Sequence, residues 1–478
     1  MKMIIGGKSV DSADKKTREV LDPGTMQVID TVPLATQQDV EDAINCAQKG
    51  FEKWSQVPLH TRIDTLRKFH DLFLEEKDWF VEMAAKEMGK TVAHAEAEVI
   101  NAASLIEHFC DGARTLKAES FQPGDHYSNE ADMMITVREP WGVVACVLPF
   151  NFPFELYCHK VVPALLMGNA VVVKPASDTP LCNIHMSELL LKAGVEPLAV
   201  NIITGSGGSC GNWLTASPKV NAVTFTGSTS VGISIAENCA KNLTKVSLEL
   251  GGNDSLIILE DADIDYAVSE TVNGRAYCAG QVCCANKRML VQNSIKEEYT
   301  KKLVAAVSAL KPGNQFDPSS SYGPQVSESA AIEIEEQINK TIEQGGKLLT
   351  GGKRFNKTFI EPTVIEVTPD MDVAKDMEIF GPVWPVIGFD TPDDAIAISN
   401  ASMYGLSGGV ITNDINNGMH VAKHMEAGCC VVNGVGDYRA PGQPFGGYKQ
   451  SGLGAEGGVY TLIEMTQMKS IVLRNAYK

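Results

Sequence analysis

The sequence lacks any apolar run near the roughly 18 residues that a membrane-spanning helix requires. VVPALLMGNAVVV, for one, is interrupted by Gly and Asn. Its opening stretch, MKMIIGGKSVDS, is too short in apolar residues for a secretory h-region. Basic excess is also missing: 41 Lys+Arg against 59 Asp+Glu give a formal net charge of −18. Long-range attraction to nucleic acid or to anionic lipid is therefore not expected. Low-complexity tracts, internal repeats and long charge blocks are absent. The 12 cysteines show no CxxC…CxxC spacing, so they read as reduced, mostly buried thiols rather than a zinc framework. These absences leave a cytoplasmic globular protein with no nucleic-acid or membrane partner. Its 478 residues, 44% hydrophobic and 21% charged, are enough for two or three domains.

What the sequence does have is alternation. Residues 37–98 carry apolar groups at helical spacing, as in DVEDAINCAQKGFEKW. MMITVREPWG reads as a strand entering a turn. From Gly142 onward, strand-like runs (GVVACVLPF, NAVVVKP, LAVNIITG, VNAVTF) alternate with helix-like ones (VVPALLMG, CNIHMSELLLKAG). That is the pattern of a parallel sheet covered on both faces. A second alternating region runs from about Leu250 to Val432, and the Gly-rich tail ends in the strand-like QMKSIVLRN. The expected fold class is α/β: two units, plus strand-like pieces that belong to neither and suggest an arm.

Three positions suggest chemistry. In AGQVCCANKR, Cys283 follows Gly-Gln-Val in a chain without a hydrolase triad signature, which makes it a candidate nucleophile. Two packed core thiols are the plainer alternative. Glu249 closes an apolar strand just before two glycines in SLELGGND; shielded from water it suits a general base, and exposed it is a solvated strand end. Asn151, in the stiff stretch LPFNFP, offers a fixed amide for an oxyanion, or simply forms a turn. Among glycine patterns, GLGAEG (452–457) matches GxGxxG, yet it follows no βαβ strand and leaves too little chain for the rest of a dinucleotide unit. FTGSTSVG suits phosphate better, because a strand turns at Gly227 into a helix that Ser228 is placed to cap. GSGGSCG (205–211) reads as a second close-approach loop or a merely flexible one. His420 and His424 lack HExxH and a third ligand, and Cys429-Cys430 are adjacent, so no metal is expected.

In order, LPFNFP, VVVKPAS, FTGSTSVG, SLELGG, AGQVC, EIFGPV and PFGGYKQSGLG give the chain a resemblance to the aldehyde dehydrogenase superfamily over essentially its whole length. The resemblance implies a Rossmann-like cofactor-binding domain (1–249, with oligomerisation strands near 120–140 inserted), an α/β catalytic domain (250–432), and a stretch, 433–478, that returns to the cofactor domain and the small arm that builds homodimers or homotetramers. It implies Cys283 as nucleophile, Glu249 as hydrolytic base and Asn151 as oxyanion amide. It places Phe150, Lys174, Ser177, Gly227, Ser228, Glu378 and Phe380 against the cofactor: Lys174 at the adenine-side ribose, Gly227 and Ser228 at the phosphates, Glu378 and Phe380 at the nicotinamide end. Phe150 stands where many members have Trp, Cys278 where many have Asn, and Asp254 where Ala or Ser is common. The implied reaction is thiolate addition to an aldehyde, oxidation to a thioester, and release of the acid by water activated at Glu249. A CoA-acylating enzyme would share Cys283 but need no water-activating carboxylate. A cysteine hydrolase would need no nicotinamide, and a non-catalytic protein on this fold would be expected to have lost one of the three residues.

NLTKVSLELGG followed by AGQVCCANKRMLVQ looks most like members acting on lactaldehyde or similar small hydroxyaldehydes. Succinate-semialdehyde enzymes are the near alternative; they hold the distal carboxylate with two arginines, at positions that fall here on His159 and Tyr277. With Cys284, these line the expected substrate pocket. A carboxylate there is poorly held unless His159 is protonated, so short neutral aldehydes are expected to exceed succinate semialdehyde. The acidic ribose ligand of NAD-selective members falls on Ser177, which is neutral and small, with Lys174 beside it and no Arg in view. NADP is therefore expected to be accepted alongside NAD, even preferred, without being required.

Overall fold

Four helices follow one another after Thr36: α1 (Gln37–Trp54), α2 (Leu59–Glu75), α3 (Lys77–Met88) and α4 (Val92–Ala113). The structure, a computed structural model, describes residues 1–477. Thr36 and Asp39 start α1 with a reciprocal capping box, and Gly89, at φ 85°, ends α3 in the left-handed region. The apolar positions at helical spacing are the buried ones, among them Val40, Ala43, Ile44 and Ala47 on α1 and Ile63, Leu66, Phe69 and Phe73 on α2. Helix continues to Ala113, beyond the stretch whose periodicity announced it.

The first sheet is built on five parallel strands: β1 (Val143–Val147), β2 (Ala170–Lys174), β3 (Val200–Ile202), β4 (Ala222–Thr226) and β5 (Lys245–Glu249). Their spatial order is β3-β2-β1-β4-β5. Helices α5 (Pro153–Leu166), α6 (Leu181–Ala193) and α7 (Thr229–Ala240) connect them. Every residue of β1, β2 and β4 is buried, as the Val-rich runs require when both faces are covered. The chain begins at the centre with β1, moves outward to β3, then crosses back to β4 and β5. The boundary between β1 and β4 is therefore the switch point, where a ligand crevice opens outside the carboxyl ends. Met3–Ile5 closes one side of these strands against β3, and Gly452–Leu453 closes the other against β5. The GLGAEG stretch thus supplies an edge strand.

After Leu250 the chain enters a second sheet: β6 (Ser255–Ile258), β7 (Arg288–Gln292), β8 (Thr363–Val367), β9 (Val383–Phe389), β10 (Gly408–Ile411) and β11 (Val431–Val432). These strands are parallel in the order β8-β9-β7-β6-β10-β11, and α8 (Ile264–Ala276) joins β6 to β7. A separate sheet pairs Thr466–Leu473 with Met133–Pro140, and the latter with Glu119–Phe121. Among the described residues, no helix is long and apolar enough to cross a membrane. The carboxyl ends of β1, β2, β4 and β5 deliver Asn151, Lys174, Gly227 and Glu249. The amino ends of β6, β7 and β9 deliver Gly251–Asp254, Cys283–Lys287 and Glu378–Phe380.

Candidate active site

These two edges meet through Asn151. It is buried, and its Nδ2 donates to the Gln281 carbonyl at 3.0 Å, across the junction of the two sheets. Its own carbonyl accepts from Lys90 Nζ at 2.8 Å. Lys90 is fully buried and paired with Glu98, whose other oxygen accepts the Phe154 N–H at 2.7 Å. A desolvated ion pair held by further hydrogen bonds is rigid, so the turn that carries Asn151 is fixed from beneath.

The Cys283 loop is held under backbone strain. Cys278 and Ala279 adopt φ 53° and 56°, and Gly280 follows at φ 76°. Each of the two non-glycine residues costs about 1–2 kcal/mol in that region. Gly280 has no substitute: a Cβ there would lie 2.3 Å from the backbone of Gly381. Arg275, fully buried in the last turn of α8, donates to the carbonyls of Val383 (2.9 Å), Gly280 (3.4 Å) and Ile379, tying this loop to the segment before β9. Cys283 is half-buried and Cys284 buried. The Cys284 thiol as hydrogen-bond partner, aided by Lys287 and Arg439, holds the Cys283 thiol below its ordinary range despite burial. The same hydrogen bond and burial push Cys284 well above it. Only one of the adjacent thiols is set up to be a thiolate.

Glu249 is 4% exposed, and neither of its carboxylate oxygens has a hydrogen-bond partner. Burial, then the charge of Glu456, raises its carboxyl well above the usual range. Glu456 is buried with Lys160 as its ion-pair partner, and Lys160 keeps it ionised against the cost of burial. Sequence reading missed Lys160, Glu456 and Arg439, because no local pattern marks them. Arg439 Nη2 stands 3.3 Å from His159 Nε2, and its guanidinium lies 3.7 Å over the Phe445 ring. Burial drives the His159 pKa down to about 3. His159 is therefore neutral, and the cation of this pocket is Arg439 rather than a protonated His159. Tyr277 stacks on Phe152 at 5.9 Å and meets the edge of His94 at 4.5 Å.

Along the switch-point crevice, Ser228 occupies the N-cap position of α7 but makes no side-chain capping bond, contrary to expectation; its Oγ lies 3.4 Å from Ser230 Oγ instead. Gly227 forms the turn, with its N–H on the Glu249 carbonyl. Lys174 is buried, its Nζ donating to the Pro175 carbonyl at 2.9 Å. Ser177 Oγ donates to the Gly205 carbonyl at 3.2 Å, and next to it Asp178 forms an ion pair with Arg18, so a guanidinium is present here after all. Glu378 pairs with Lys287 at 3.1 Å and accepts from the Gly252 N–H at 3.4 Å. Lys287 also donates to the Cys283 carbonyl, linking the two segments. Phe150 meets Phe380 edge-on at 6.0 Å.

The sequence profile of the aldehyde dehydrogenase family matches residues 10–471. The chain belongs to the aldehyde dehydrogenase family. It is 37% identical to the mitochondrial succinate-semialdehyde dehydrogenase of Oryza sativa subsp. japonica, over 99% of this chain and 89% of the relative. It is 35% identical to a lactaldehyde dehydrogenase of Methanococcus maripaludis, over 99% of this chain and all of the relative. The structure of betaine aldehyde dehydrogenase from Staphylococcus aureus in complex with NAD+ superposes with a TM-score of 0.96 at 35% identity, covering 100% of this chain and 95% of that one. This aldehyde dehydrogenase is thus an oxidoreductase that works with a nicotinamide cofactor.

The crevice of the dehydrogenase fits such a cofactor. The uncapped amino end of α7 presents N–H donors to a pyrophosphate, while Lys174 ends strand β2, on the far side of β1 from β4, and Ser177 lies just beyond it. At the other end, Gly251 lets the Glu378 carboxylate approach closely, since a Cβ there would lie 2.4 Å from Glu378 Oε2. Among the described residues, no group of three or more His, Cys, Asp or Glu side chains is arranged to hold a metal ion. His420 Nε2 contacts Asp393 at 2.7 Å, and His424 Nδ1 lies 2.8 Å from the His420 carbonyl.

Proposed function

We propose that the enzyme oxidises a short aldehyde to its carboxylic acid, with Cys283 as nucleophile, Asn151 as oxyanion donor and Glu249 as the base that activates water. The observation that carries this reading is the pairing of a half-buried, lowered Cys283 thiol with an unpartnered, raised Glu249 carboxyl whose titration it influences. The Cys283 thiolate adds to the aldehyde carbon, and the carbonyl electron pair moves onto oxygen. One Asn151 amide hydrogen is spent on Gln281; the other meets the new alkoxide together with a backbone N–H. A nicotinamide cofactor held in the crevice near Glu378 and Phe380 would supply the acceptor for the hydride leaving that carbon. Cys283 then carries a thioester. Ionised Glu249 takes a proton from water, the water oxygen adds to the thioester carbon, and the C–S bond breaks to return the Cys283 thiolate. Reduced-cofactor absorbance with release of free acid, in the presence of CoA, is the direct test. Acyl-CoA as product, or ester cleavage without cofactor, would contradict the reading.

Asn151→Ala is expected to lower kcat by about 10²–10³, the usual loss for one oxyanion donor, with a retained cooperative unfolding transition, lowered by the lost bond to Gln281, as the control. NAD and NADP are both proposed as cofactors, NADP acceptance being supported by neutral Ser177 and by the basic Lys174 nearby, Arg18 being taken up by Asp178. Ser177→Glu is expected to cut kcat/KM for NADP at least about tenfold relative to NAD, through repulsion of a 2′-phosphate. An unchanged ratio, or a wild type that cannot use NADP, would refute it.

Lactaldehyde-like hydroxyaldehydes are one substrate reading. Dicarboxylic semialdehydes are the other, and Arg439 favours them. A domain division at residues 249/250 and 432/433 is proposed, supported by the change of sheet between Glu249 and Ser255 and again between Val432 and Gly452. The apolar, exposed edge strand Thr466–Leu473, with Met468 62% and Val472 50% exposed, supports pairing with a second copy in a homodimer or homotetramer. Twelve free cysteines suit the reducing cytoplasm.

A further inference from the structure

We propose that Arg439 receives an anionic group at the far end of the substrate, so that the preferred aldehydes are short ones ending in a carboxylate or sulfonate. This rests on the cysteine chemistry proposed above. Arg439 is half-buried on the loop after β11, and among the described residues no carboxylate lies within 4.0 Å of it. A guanidinium has five N–H donors in a planar fork; within the chain one hydrogen bond is made, to His159. Because a guanidinium only donates, His159 Nε2 accepts, and the neutral ring carries its proton on Nδ1. That buried Nδ1 has no partner either.

None of the acids that feel the charge of Arg439 is in salt-bridge contact with it. Glu155 is pushed up to about 7 by burial, and Glu249 is raised as well. Glu456 is already committed to Lys160. Arg439 stacks on Phe445, which belongs to the apolar cluster of Val282 and Cys284, bordered by Cys283, Phe150, Phe152 and Tyr277. The result is an apolar wall bearing one cation without a salt-bridge partner, beside the nucleophile. A carboxylate or sulfonate accepts two parallel bonds from such a fork, which also fixes the aldehyde's orientation. The positions that carry the two arginines in succinate-semialdehyde enzymes, 159 and 277, are not needed for this.

The test compares pairs of equal carbon skeleton: succinate semialdehyde against butanal, and 3-sulfolactaldehyde against lactaldehyde. The sulfonate and carboxylate arms tell which anion is preferred. Wild type is expected to favour the anionic member of at least one pair in kcat/KM. Arg439→Gln removes a cation that also lowers the Cys283 thiol, so both members slow, and the readout is their ratio. That ratio is expected to fall about 10- to 100-fold. Arg439→Lys keeps the charge, loses the fork and the stacking, and is expected to give an intermediate ratio; it serves as the test if the Gln variant does not fold. An unchanged ratio in both variants would assign Arg439 to thiolate stabilisation alone and overturn the proposal. A wild type that oxidises the neutral members at least as well also overturns it while leaving the cysteine chemistry standing. Oxidation of none of the four would overturn the proposed function itself.

Discussion

Cys283→Ala is expected to abolish aldehyde oxidation, with kcat reduced by at least about 10⁴-fold, whereas Cys284→Ala retains it. The two thiols are adjacent in sequence but sit in opposite environments. Cys283 is half-buried and close to Lys287 and Arg439, which favour its thiolate. Cys284 is buried in the apolar cluster and serves as its hydrogen-bond partner. Loss of that partner in Cys284→Ala should raise the Cys283 thiol and move the alkaline-rising limb of the kcat/KM profile to higher pH, with little loss at the plateau. Steady-state rates with either cofactor check this, and the reverse ranking of the two variants would refute the assignment.

Glu249→Gln is expected to stop the reaction half-way. Acylation does not need the carboxylate, so one equivalent of reduced cofactor per active site should appear in a burst. Turnover afterwards should be slower by about 10²–10⁴-fold, the range for loss of a positioned general base. The pH dependence has a definite sign. Glu249 works ionised, and its carboxyl is raised well above the ordinary 4.5 by burial. Hydrolysis of the thioester is therefore lost as pH falls through this raised value, at a pH where an exposed glutamate would still be ionised. Glu249→Gln removes that limb. A variant with full turnover and an unchanged profile would assign water activation elsewhere, with the nearby Glu456 the group to examine.

The strand ends were legible because Val-rich runs bounded by Gly and Pro mark buried parallel strands, and parallel strands gather their carboxyl ends on one edge. Asn151, Gly227 and Glu249 could thus be put at strand ends or turns, and the fold adds that they share one edge with Lys174. Cys283 was legible only through its motif, since two neighbouring thiols look alike without burial and charge. The supporting charges were not legible. Lys160 and Glu456 are 296 residues apart, and Arg439 and His159 280 apart, so only the folded chain reveals either pair. Expecting a pocket without a guanidinium followed from inspecting two aligned positions, when the cation arrives on a different loop. The left-handed Cys278 and Ala279 were invisible for a related reason: glycine usually signals such backbone, and here tertiary contacts through Arg275 and Gly280 impose it on other residues. Ser228 has the right type and place for a cap, but the geometry leaves the first N–H groups of α7 free for a ligand.

The central claim is that the oxidised substrate is carried as a thioester on Cys283. Intact and peptide mass spectrometry of Glu249→Gln, quenched in acid after incubation with a short aldehyde and NAD or NADP, reads it directly. The expected result is one acyl group per chain, located on Cys283 and absent when cofactor is withheld. An acyl group on Cys284, or none while the burst of reduced cofactor still occurs, would contradict it.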